Sequence, residues 1–77
     1  MNQINLTRTK EADRAFQTAL RTEPKGTWII YHEGPCLHNV SRLKVGRAAW
    51  DAYRAGKACL CQKRVSDGVY QYIAVVM

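Results

Sequence analysis

Acidic residues are scarce in this chain: six of its 77 residues are Asp or Glu, against twelve Lys and Arg. The formal charge is therefore +6, and a polyanion is the natural partner of such a surface. Proline occurs only twice, and no Ser/Pro-rich linker, internal repeat or low-complexity stretch divides the chain. No apolar run approaches the about 18–20 residues that cross a bilayer, and those such as 73–77 stop far short. No partner membrane is expected. The first six residues lack a basic segment followed by an apolar one, so no secretory signal is expected and the expected location is the cytoplasm. Also absent are a nucleophile elbow, a P-loop, a dinucleotide glycine fingerprint and a paired-carboxylate constellation, so the chain is not expected to be an enzyme.

What is present is ordinary globular material, 47% hydrophobic and 23% charged. A chain of this size buries only about 60% of its unfolded surface, which leaves one core and a single domain over 1–77. The charge is unevenly placed. Residues 41–77 hold Arg42, Lys44, Arg47, Arg54, Lys57, Lys63 and Arg64 against Asp51 and Asp67, whereas residues 1–40 are nearly balanced. The second half is where a surface for an anionic partner belongs.

The periodicity predicts five elements. Ala12, Phe16, Ala19 and Leu20 recur on one face of a first helix, with Thr7 or Thr9 as its cap and Glu23-Pro24-Lys25-Gly26 as its end. Residues 27–32, rich in β-branched and aromatic side chains, read as a strand with Trp28, Ile30 and His32 on one side and Ile29 and Tyr31 on the other. A second helix runs from about 43 to 55 on a stripe of Ala48, Ala49, Ala52 and Ala55, flanked by Trp50 and Tyr53 and stopped by Gly56. Residues 58–65 and 69–76 form a hairpin around Ser66-Asp67-Gly68, because Asp-Gly tolerates the positive φ of a tight turn. The expected fold is α+β in the order α-β-α-β-β, with a three-stranded antiparallel sheet.

Lys44, Arg47, Asp51 and Arg54 recur at three and four, making one mostly cationic stripe on the second helix. That helix leads through Gly56-Lys57 into a hairpin carrying Lys63 and Arg64 near its tip and Tyr70 and Tyr72 beyond it. The run Ala48-Ala49-Trp50-Asp51-Ala52-Tyr53-Arg54-Ala55-Gly56-Lys57, continued by the hairpin to Tyr72, resembles the recognition-helix end and wing of the winged helix-turn-helix family. The resemblance covers about two thirds of the chain and implies a winged-helix-like DNA-binding domain, with Arg42, Lys44 and Arg47 at the recognition helix and Lys63 and Arg64 on the wing. It also asks residues 35–40 to fold as about one and a half turns of helix. A plain α+β domain with one uninterrupted middle helix is the other reading.

Three cysteines is an odd count, so reduced thiols are expected in place of a disulfide framework. A zinc reading would draw on His32, Cys36, His38, Cys59 and Cys61. Cys-x-Cys inside a strand more often packs two small apolar side chains, so neither metal nor cofactor is expected. The functional expectation is a small nucleic-acid-binding protein that contacts duplex DNA with its basic helix and hairpin wing. Arg42, Lys44, Arg47, Arg54, Lys57, Lys63 and Arg64 are the candidate binding residues. The alternative is a phage or mobile-element protein that inhibits a host or defence complex by docking its basic face on an acidic protein surface.

Overall fold

The computed structural model describes residues 2–35 and 43–77. Six elements follow one another: β1 (Gln3–Asn5), α1 (Ala12–Thr22), β2 (Trp28–Gly34), α2 (Lys44–Arg54), β3 (Ala58–Ser66) and β4 (Val69–Val76). They form a small α+β domain with a mixed four-stranded sheet in the order β1-β2-β4-β3. The expected three-stranded antiparallel sheet and its α-β-α-β-β order are thus corrected. The extra strand, β1, runs parallel to β2, and α1 makes the crossover between them. Three residues are too few for an alternating pattern to announce a strand. Its pairing comes instead from the edge that β2 offers: Trp28 N–H donates to the Asn2 carbonyl at 2.9 Å, and Leu6 N–H donates to the Ile30 carbonyl at 2.8 Å.

In the antiparallel part β4 pairs with β3 across the Asp-Gly turn, as expected, and its other edge takes β2. Its turn differs in detail. Gly68 has φ 71°, but Asp67 does not share a positive φ, and the register shifts between Arg64 and Ser66. A second irregularity moves His32. The register slips between Ile30 and His32, so His32 stands opposite Tyr72 and stacks on its ring, with centroids 5.5 Å apart and planes 15° apart. The extra residue of a bulge breaks the period of two on which the expected grouping with Trp28 and Ile30 rested.

The start of α1 also departs from expectation. Thr7 is engaged with Asn5, whose Oδ1 accepts the Thr7 N–H at 2.9 Å and its hydroxyl at 2.6 Å. The chain leaves β1 through this turn, and the cap falls to Glu11, at φ 53° and without a side-chain capping bond. At the other end, Glu23 N–H donates to the Ala19 carbonyl before Pro24 stops the helix.

Both helices lie on one face of the sheet. Phe16 and Ala19 of α1 and Val45, Ala49 and Ala52 of α2 meet Ile29, Tyr31, Ala58, Tyr72, Ala74 and Val76 in one buried cluster. Phe16, wholly buried, meets Tyr31 edge-on at 5.9 Å between ring centroids. Burial pushes the Tyr31 phenol up to about 12, with Cys61 and Tyr72 adding to it. Gly46, awkward for helix propensity, lies on the buried side of α2. The small-residue stripe is narrower than expected, since Ala48 is half-buried and Ala55, the C-cap, is exposed. By register, Trp28, Ile30, Ile73, Val75, Cys59 and Cys61 belong to the opposite face of the sheet.

Candidate nucleic-acid interface

The position of α2 follows from its apolar side. With Val45, Gly46, Ala49 and Ala52 buried, the 100° step of the helix turns Lys44, Arg47, Asp51 and Arg54 outward, and all four are exposed. None of Lys44, Arg47 and Arg54 makes an ion pair with a described residue, although Asp51 lies four positions beyond Arg47. Surface cations free of carboxylate partners keep their full charge for a ligand. Lys57 is set by the helix end. Gly56, at φ 74°, takes the left-handed conformation that glycine adopts without strain. Gly56 N–H then donates to the Tyr53 carbonyl at 3.1 Å, and Lys57 N–H donates to the Ala52 carbonyl at 2.8 Å. This is the paired closure of a Schellman motif. It holds an exposed fourth cation one turn past Arg54.

The hairpin contributes less than its sequence promised. Arg64 stands opposite Tyr70, on the helix side of the sheet, and its guanidinium donates to the Asp67 carboxylate at the tip. Lys63 stands opposite Gln71 and belongs to the other side. The structure therefore keeps Arg47 and Arg54 on the outward side of α2, puts Lys44 and Lys57 at its two ends in grooves shared with α1, puts Arg64 on the same side of the sheet with a partner of its own, and turns Lys63 away. Arg42 lies outside the described residues.

Sequence reasoning missed the aromatic part of this surface. Trp50 and Tyr53, read as flanks of the alanine stripe, are 52% and 49% exposed, with ring centroids 5.4 Å apart and planes tilted by 33°. Arg47 lies three positions before Trp50 and Arg54 four after it, the spacings at which helical side chains are neighbours. The signal was present in the spacing, because 50 and 53 fall outside the 45, 49, 52 line that meets the sheet.

Cys59 and Cys61 are exposed on β3, and burial pushes the Cys61 thiol up, with Cys59 adding to the shift. Among the described residues no group of three or more His, Cys, Asp and Glu side chains comes together to hold a metal. Cys36 and His38 lie outside those residues, so the five-residue zinc set is not assembled from what is described. No described helix is long and apolar enough to cross a membrane. No protein-family model, curated protein or solved structure matches the chain.

Proposed function

We propose that this chain is a small nucleic-acid-binding protein whose contact surface is the outward side of α2. The observation that carries the reading is the row of exposed cations along α2, Arg47 and Arg54 on its outward side and Lys44 and Lys57 at its two ends beside α1, none with an ion-pair partner among the described residues. Such a row neutralises phosphates and releases their counterions, and the helix supplies the spacing. Duplex DNA is the form that a projecting helix beside a hairpin fits, with α2 toward the wide groove and Arg64 beside it.

Docking of the same surface on an acidic protein, as in an inhibitor of a host or defence complex, is the second reading. Trp50 and Tyr53 favour it, because Trp, Tyr and Arg dominate protein hot spots.

Binding to random-sequence duplex at a series of salt concentrations separates the two. Four phosphate contacts give a slope of log K against log salt of roughly −3 to −4. Failure to bind duplex even at low salt, together with a stable complex with a protein partner, would establish the second reading in place of the first.

A further inference from the structure

We propose that Trp50 and Tyr53 form a stacking platform for unpaired bases, so that the preferred ligand is DNA with a single-stranded stretch and not a fully paired duplex. This rests on the nucleic-acid reading and departs from it in one respect, replacing the duplex as preferred form by DNA with unpaired bases. Fully burying a large apolar side chain stabilises a fold by about 1.5–3 kcal/mol, which a small domain with few aromatic residues has reason to use. Phe16, Tyr31 and Tyr72 are spent in that way, whereas Trp50 and Tyr53 are left half open on a helix whose other side has a core to fill. Two rings that sandwich a base must stand about 7 Å apart, twice the roughly 3.4 Å stacking step. At 5.4 Å these rings are too close for that. They instead make one continuous surface, tilted by 33°, on whose exposed faces a base can be laid.

The surroundings favour a base over a protein side chain. Arginine beside Trp and Tyr is common to protein hot spots and to single-strand sites, so the choice rests on charge: the chain carries +6, and a polyanion answers it. Here Arg47 and Arg54 border the rings, while Lys44 and Lys57 lie at the two ends of α2 beside α1, Lys57 in a groove with Gln17 and Arg21 and Lys44 near Glu11 and Asp13. A cationic track that follows a backbone, interrupted by rings for the bases, is the pattern of single-strand recognition. A paired, stacked base presents only its edge to a protein, so the platform gains nothing from the interior of a duplex. The cations serve both forms of DNA. The rings discriminate between them.

The test uses the full chain with Trp28→Phe, which leaves Trp50 as the sole tryptophan, titrated by fluorescence with oligothymidine and with a blunt duplex of equal length at one salt concentration. The expected results are quenching of Trp50 by oligothymidine and at least tenfold tighter binding of it than of the duplex. Trp50→Ala and Tyr53→Ala, each made in the otherwise unaltered chain and followed by anisotropy of a labelled oligonucleotide, are expected to lose roughly tenfold or more for oligothymidine. They should leave duplex affinity within about twofold, while Trp50→Phe retains most of the preference. Equal loss for both ligands, or duplex binding with no quenching and no preference for the single strand, overturns the platform and leaves the nucleic-acid reading standing. Absence of binding to either DNA at low salt overturns both, and assigns the aromatic pair to a protein partner. Thermal melting of each variant shows that the domain is folded, so that every outcome reports on the rings.

Discussion

Phe16→Ala is expected to lower the unfolding free energy by about 3–5 kcal/mol, the cost of truncating a buried aromatic residue. Phe16 is fully buried and is the only phenylalanine in the chain. It is the side chain by which α1 reaches the sheet and meets Tyr31, and an edge-to-face ring pair adds about 0.5–1.5 kcal/mol beyond the area it buries. Small domains hold roughly 0.05–0.15 kcal/mol of stability per residue, so a chain of this length has on the order of 4–12 kcal/mol in all. The substitution removes about a quarter of that or more. Urea denaturation followed by circular dichroism measures it, and a loss under about 1 kcal/mol would mean that α1 does not pack on the sheet as described.

The largest expected effect on binding comes from reversing charge at Arg47 and Arg54 together. Both are exposed and lie on the outward side of α2, without ion-pair partners among the described residues. Each exposed substitution should change stability by about 0.5 kcal/mol or less. Arg54, in the last turn, also loses a favourable interaction with the helix dipole, about 0.3–1 kcal/mol. The domain should therefore melt cooperatively. Duplex and single-strand affinity should fall at least about tenfold at low salt, and the salt slope should flatten by roughly 2, because two phosphate contacts are gone. Unaltered affinity in a folded double variant would move the interface off α2. Loss of the cooperative transition would make these arginines structural.

The parts of the fold that a sequence displays are those with enough repeats of a period to be counted. Helix α2 offers three turns of apolar residues and a Gly56 stop, and the hairpin offers two long alternating runs around Asp67-Gly68. These are the elements read within a residue or two of their ends. Strand β1 offers three residues, and its existence depends on the edge of β2, a partner more than twenty positions away. The slip between Ile30 and His32 is also set by strand pairing, since one inserted residue reverses the face of everything after it. The cap of α1 moved because Asn5 competes for Thr7.

The site divides in the same way. The spacing of Lys44, Arg47 and Arg54 fixes them on one side of a helix, and the structure keeps them there. Lys63 and Arg64 share the hairpin tip in the sequence, but adjacency in a strand sends two side chains to opposite faces. The exposure of Trp50 and Tyr53 depends on how α2 rolls onto the sheet, which helix periodicity narrows but packing decides.

The central claim is that the outward side of α2 is the surface that meets nucleic acid, and amide chemical-shift mapping tests it most directly. Isotope-labelled protein is titrated, in separate samples, with a short duplex and with oligothymidine at low salt. The account predicts that the perturbed amides cluster at 44–57, with a smaller set around Arg64 at the hairpin, and that the Trp50 indole N–H moves most with the single strand. It predicts little change at Thr18 and Thr22 on the exposed side of α1. Shifts concentrated on α1 or on the Trp28, Ile73 and Cys59 face of the sheet, with 44–57 unmoved, would contradict it.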